Sequence, residues 1–209
     1  MSKQELMDEL VAELRVCRRC SLWTQARNVV SGEGNLDASV VLVGEAPGRQ
    51  EDIMGRPFVG AAGKLLDELL TSIKLTRAQV YITNLVKHRP PGNRDPRPDE
   101  INACSRYLDR QIIIVKPRLI ITLGRHASRY ILSRGKIRIS GITKTRGKIY
   151  NLRLFGIPVR VATTLHPAAA LYNPNYRSLV EEDFHRIRTI LSEPTQPERD
   201  ETLTRERNP

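Results

Sequence analysis

Four short runs of aliphatic and β-branched residues constrain the fold of this chain more than any other feature: SVVLVG (39–44), QVYITNLV (79–86), RLIITLG (118–124) and VRVATTLH (159–166). Near-continuous Val, Ile and Leu over so short a span is the pattern of strands covered on both faces. A strand with one wet face alternates polar and apolar residues instead. Between the first three runs lie segments of helical period, AAGKLLDELLTSI (61–73) and RPDEINACSRYLDRQIIIVK (97–116), and RHASRYILS follows Gly124. This alternation predicts an α/β protein, a three-layer α/β/α sandwich around a mostly parallel four-stranded sheet. Two more helices are expected, over 3–16 with Leu6, Leu10 and Leu14 as its apolar stripe, and over 177–191, ending before Pro194. Residues 136–158 alternate in character and carry glycine turns, which predicts a hairpin. The last eighteen residues, 192–209, lack an apolar stripe. We therefore expect one domain over 1–191 and a disordered tail over 192–209.

Charge narrows the function. The net charge is +11, and the tail carries three basic and five acidic residues, so residues 1–191 hold +13. Such a body attracts polyanions, because Lys and Arg that neutralise phosphates release condensed counterions. No run of eighteen apolar residues occurs and the first ten residues are polar and charged, so a soluble cytoplasmic protein with no membrane partner is expected. Three cysteines do not make a disulfide framework, and the close pair Cys17 and Cys20 points to a metal or redox role.

Ligands of open α/β sheets bind beyond the carboxyl ends of the strands. The first run ends in GEAPGRQEDIMGRPFVGAAGK (44–64), whose glycines let backbone approach a ligand closely, although it is neither a dinucleotide fingerprint nor a P-loop. Glu45, at the strand end, is a site candidate, whereas Asp52 is expected as solvated loop charge. The second run leads into Asn84 and the fourth into His166. With Phe58 they would supply an amide, an imidazole and a flat aromatic, a set suited to a planar heterocycle with polar edges.

GEAPGRQED, GRPFVGAAG, VYITNLVKHRPPGNRDP, ACSRYLDRQI, PRLIITLG and TLHPAA, in this order, resemble the successive motifs of a family 4 uracil-DNA glycosylase, the iron-sulfur type. The likeness runs from about residue 10 to 190. It implies a DNA repair enzyme that flips deoxyuridine out of DNA and cleaves its N-glycosidic bond, releasing uracil and leaving an abasic site. By this resemblance Phe58 stacks on the base, while Gly44 and Ala46 belong to the base-binding loop. Asn84 accepts from uracil N3–H and donates to O4, a pairing that cytosine reverses. His166 donates toward uracil O2 as the base leaves as an anion, and Glu45 and Glu51 place water or stabilise the cationic sugar. Other uracil glycosylase families have an Asp where this chain has Ala46, which leaves the general base open. Leu171 is the suspected wedge that fills the vacated stack, and Arg177, Arg146 and Lys148 are candidate phosphate contacts. Uracil-containing DNA is the implied partner, a sliding clamp is a further candidate, and a monomer is expected. Glycosylases for other deaminated bases and non-catalytic binders of uracil or abasic DNA stand as alternatives.

Members of that family hold a [4Fe-4S] cluster through four cysteines. Cys17, Cys20 and Cys104 match three of these positions, and His88 stands at the remaining one. Four readings follow: a cluster with three cysteines and His88 as ligands, a three-cysteine cluster with His88 unbound, a zinc site on the same residues, and a lost cluster. His126 and His185 are expected to have no site role.

Overall fold

Each of the four aliphatic runs forms a strand. A computed structural model of the chain, describing residues 1–192, has the elements α1 (Lys3–Arg15), β1 (Glu33–Gly34), β2 (Val40–Gly44), α2 (Arg49–Met54), α3 (Ala61–Ser72), β3 (Tyr81–Asn84), α4 (Pro98–Val115), β4 (Leu119–Leu123), α5 (Arg125–Arg134), β5 (Ile149–Leu154), β6 (Ile157–Thr164), α6 (Pro167–Leu171) and α7 (Pro174–Ser192). The expected tail lies, apart from Ser192 at the end of α7, outside the described residues.

The strands form one sheet in the order β1-β3-β2-β4-β6-β5. The inner strands β3, β2, β4 and β6 are parallel, and the edges β1 and β5 run antiparallel to their neighbours. Alternate residues feed two cores. Val41, Val43 and Ile120 face α1, α4 and α5, whereas Val40, Leu42 and Ile121 face α3 and α7. Both faces are therefore covered, which is why β2, β3 and β4 are buried at every position.

Three details differ from the sequence-based expectation. The sheet has six strands, the four runs plus β5 and β1, the latter only two residues long and too short to leave a pattern. The hairpin is not a separate unit over 136–158: β5 pairs with the fourth run itself, through Phe155 and Gly156 at φ 53° and 80°. Two successive left-handed residues match the right-handed twist of the flanking strands. In α1 the buried stripe is Met7, Leu10 and Leu14, while Leu6 is exposed. The helix starts at a reciprocal cap in which Ser2 Oγ accepts from the Glu5 N–H at 3.2 Å and the Ser2 N–H donates to the Glu5 carboxylate at 2.7 Å.

Parallel pairing sets the site. Gly44 at the end of β2 is the register partner of Asn84 at the end of β3, and β6 ends at Thr164, opposite Leu123 of β4. Whatever follows these strands emerges on one side of the sheet.

Candidate active site

A cavity of about 360 Å³ opens at the carboxyl ends of β2, β3 and β6, lined among others by Glu45, Ala46, Glu51, Phe58, Asn84 and His166. Its floor depends on Gly44. A Cβ there would lie 2.3 Å from Asn84 Oδ1 and 2.6 Å from the Phe58 ring, so any side chain would displace both. Phe58 is buried in a left-handed conformation, φ 51°. That conformation costs about 1–3 kcal/mol in a non-glycine residue and tends to cluster at functional sites. It is held from two sides. Arg77 donates to the Phe58 carbonyl at 3.1 Å, and Gly63 in α3 packs so close that a Cβ would fall 1.8 Å from the same oxygen. Glu51 shapes the loop as well, its Oε1 accepting from the N–H groups of Val59 and Gly60, each at 2.9 Å.

Asn84 is almost completely buried, and its Oδ1 has no hydrogen-bond partner. Buried polar atoms are normally paired, so an open acceptor at the bottom of a cavity is a place for a ligand donor. His166 caps α6. Its Nδ1 accepts from the Ala168 N–H at 3.1 Å, which in the neutral ring leaves the proton on Nε2. Desolvation lowers the imidazole to about 4, with Glu51 opposing. The ring stacks against Phe58, centroids 5.6 Å apart and planes at 26°. Near neutral pH the cavity therefore offers one neutral N–H donor beside one aromatic face.

Glu45 follows β2 directly, and its carbonyl accepts from the Val86 N–H at 3.1 Å. Burial pushes its carboxyl up to about 7, Asp95 adding to the rise and Arg125 opposing it. Sequence reasoning missed what stands beside it. His126 Nε2 lies 3.9 Å from Glu45 Oε2 and 3.7 Å from Asp95 Oδ1, is buried, and has no hydrogen-bond partner. Ligand-type atoms of Glu45, Asp95 and His126 all fall within 4.8 Å of one another, as a metal ion would require. Asp95, however, is already paired with Arg125. The group is thus a cluster of titratable side chains around Glu45 in which Arg125 and Asp95 form the ion pair, while desolvation lowers the His126 imidazole. His126 follows Gly124 at the end of β4, so the strand-end rule applied to the third run would have found it.

A family model described as "Uracil DNA glycosylase superfamily" matches residues 31–188. The chain belongs to that superfamily. It is 51% identical over 187 residues to the Type-4 uracil-DNA glycosylase of Saccharolobus solfataricus, covering 89% of this chain and 87% of the relative. It is 52% identical to the Type-4 enzyme of Sulfurisphaera tokodaii, covering 90% and 86%. The Type-5 uracil-DNA glycosylase of Pyrobaculum aerophilum is 31% identical over 72% of this chain and 70% of its own length.

The other residues expected to serve a uracil-DNA glycosylase fall into three groups. Leu171, 37% exposed, ends α6, and Tyr172 beside it is 90% exposed, so both reach solvent from the segment that carries His166 and Ala168 at the cavity. Lys148 is exposed. Arg177 is half-exposed but paired with Glu68 and Glu181 at 2.7 and 2.9 Å. Arg146 is turned inward: it donates to both oxygens of buried Asp183, at 2.6 and 3.0 Å, and to the Leu179 carbonyl at 2.7 Å. One expectation is corrected. Asp52 is not solvated charge. It is buried, and its Oδ1 accepts from the N–H groups of Arg27 and Asn28 at 2.9 and 3.2 Å, satisfying donors the fold would otherwise orphan.

The expected metal ligands share one region. Cys17, Cys20 and Cys104 are all free thiols. Cys104 is buried in the core layer against which Cys17 and Cys20 pack. His88, 9% exposed, follows Lys87, whose backbone N–H donates to Cys104 Sγ at 3.2 Å. Such N–H···S bonds are among the protein's means of tuning a cluster. Burial raises the Cys104 thiol to about 11 and lowers the His88 imidazole, so a metal there would take up a thiolate that is otherwise protonated. Among the described residues, no three of these four donors join a group within 4.8 Å.

Proposed function

We propose that this chain excises uracil from DNA by hydrolysing the N-glycosidic bond of deoxyuridine, leaving an abasic site and an unbroken strand. The observation that carries the reading is Asn84 Oδ1, a buried acceptor without a partner at the base of a cavity with an aromatic wall. Uracil presents N3–H to that oxygen and O4 to the amide N–H₂. Cytosine presents the reverse at both atoms, leaving buried polar groups unpaired, and such a mismatch is strongly penalised. A base inside a duplex cannot reach a cavity of this kind, so the nucleotide is extruded first.

As the C1′–N1 bond breaks, its electron pair leaves with uracil and the charge spreads to O2. The Nε2–H of neutral His166 is the donor for that oxygen. The sugar becomes cationic, and Glu45, once ionised, is the negative group set to stabilise it. Water adds to C1′ and gives its proton to Glu45 or to solvent. A carboxyl titrating at about 7 is matched to general-base work near neutral pH. His166 thus stays a neutral hydrogen-bond donor while Glu45 can exchange a proton near neutral pH.

Cys17, Cys20, Cys104 and His88 are the residues that would hold a [4Fe-4S] cluster. Three free thiols and a buried imidazole are a donor set that such a cluster accepts. When bound, the group supplies cross-links between the segment after α1, the loop after β3, and α4. Iron and sulfide analysis of anaerobically purified protein tests it, with His88→Ala and His88→Cys alongside. Four irons per chain, and a visible spectrum altered in both variants, are expected; an unchanged spectrum in His88→Ala removes the histidine from the ligand set. The activity itself is tested by single-turnover reaction with an oligonucleotide carrying one deoxyuridine. Absence of abasic product from demonstrably folded protein overturns the assignment.

A further inference from the structure

Lys87 has no exposed surface. A buried lysine carries a large desolvation cost, so its partners should reveal why it is there. Its Nζ donates to Thr83 Oγ1 at 2.6 Å, to the Asn84 carbonyl at 2.7 Å and to Gln111 Oε1 at 2.7 Å. Three acceptors match the three donors of an ammonium group. The Thr83 hydroxyl has acceptors of its own in the Ser31 carbonyl and Gln111 Oε1, each at 3.0 Å. Gln111 is fixed in turn, its amide nitrogen donating to the Ser31 carbonyl at 2.6 Å and to the Tyr81 hydroxyl at 3.0 Å, so only its oxygen faces Lys87.

The backbone of Lys87 is equally constrained. Its carbonyl accepts from the Val30 N–H at 2.8 Å, and its N–H donates to Cys104 Sγ at 3.2 Å. A lysine tied at every polar atom thus grips the carbonyl of Asn84, the residue whose side-chain oxygen stands open in the cavity.

We propose that Lys87 is a positioning residue for base recognition, its buried amino group clamping the end of β3 so that the Asn84 amide is held at the angle that pairs with uracil. The inference rests on Asn84 reading the uracil edge. Lys87 touches neither base nor sugar and acts only through Asn84. An apolar side chain in its place would fill the volume but leave the Asn84 carbonyl without its Lys87 donor. A displacement of about 1 Å at a reacting group can cost on the order of 100-fold in rate.

A double-mutant cycle tests this: the parent protein, Lys87→Met, Asn84→Ala and the double variant, each checked for iron content and cooperative melting. Two quantities are read, the single-turnover excision rate on a deoxyuridine duplex and inhibition by free uracil. Lys87→Met is expected to slow excision by about 100-fold and to weaken uracil inhibition in parallel. In the Asn84→Ala background the same change should cost less than about 3-fold more, because the two residues act as one unit. A near-normal rate in Lys87→Met, or losses that multiply in the double variant, overturns the proposal; the second outcome makes Lys87 a general structural residue. If Lys87→Met does not fold, Thr83→Val removes one ammonium acceptor with little change of shape, and a loss of about 10-fold that vanishes in the Asn84→Ala background is then expected. Normal excision by Asn84→Ala removes the recognition role of Asn84, and the inference with it. No excision by the parent protein fails the glycosylase reading itself.

Discussion

Glu45 and His166 line one cavity and are shifted in opposite directions, and each shift predicts a pH dependence. Glu45 is ionised only above about 7, so the single-turnover rate should rise with pH through that value. Glu45→Gln should remove the rise and lower the plateau by roughly 100-fold or more; a rate limb surviving in that variant assigns it to another group. The same residue predicts the direction of stability. A carboxyl raised in the folded state favours folding while protonated, and that contribution is lost as pH climbs from the unfolded value toward 7. Glu45→Gln should therefore be more stable than the parent at pH 8, by about 1–2 kcal/mol, since the carboxylate keeps some solvent contact that screens the penalty. Thermal melts at two pH values check this, and a less stable variant at pH 8 would contradict it. His166 is lowered to about 4. Its neutral ring favours folding fully above about 6.5, and the contribution fades as pH falls toward 4. Asn84 and His166 were legible because they are polar residues into which the second and fourth aliphatic runs lead. His126 was marked only by its place just after the third run; that Glu45 and Asp95 stand beside it is decided by folding, because they come from other loops.

At the scale of elements, α7 is bolted to the sheet by a buried ion pair. Asp183 on α7 accepts from Arg146 and from the Thr164 hydroxyl at 2.7 Å, and its side chain is inaccessible. Arg146→Ala leaves an uncompensated buried carboxylate and should lower stability by about 3–5 kcal/mol. Denaturant unfolding measures it; a loss of DNA affinity with unchanged stability would restore Arg146 to the DNA surface. No pattern in the sequence distinguishes Arg146 from its exposed neighbours Lys144 and Lys148, because its partner lies 37 residues away. The end of α6 carries a different prediction. Leu171→Ala should slow excision on duplex DNA by about 10-fold and on single strands much less, because only the duplex needs its stack held open once the base leaves. Equal losses on both substrates would argue against a wedge. β5 shows how elements hide: its alternating exposure was readable, but its partner was not, since a one-faced strand can pair at either edge of a sheet.

The whole molecule carries its positive charge in residues 1–191. Affinity for duplex DNA should fall steeply with salt, by at least about 10-fold between roughly 50 and 200 mM, as a surface making several phosphate contacts requires. Filter binding or anisotropy at several salt concentrations checks the slope, and a flat response would leave the charge without a nucleic-acid role. The order of layers, the parallel strand centre, and the ends at which to look for a ligand were all determined by the sequence alone. The reason is physical: near-continuous aliphatic runs can be satisfied only inside a covered sheet, and glycines beside such a strand end are where backbone can approach a ligand. Tertiary structure alone decided which charges work and which merely hold the fold. Arg146 and Asp52 turned inward to satisfy buried partners, His126 came to stand beside Glu45, and Lys87 closed on the carbonyl of Asn84. A side chain's charge is written in the sequence, but its partner, its desolvation and hence its energy are properties of the packed interior.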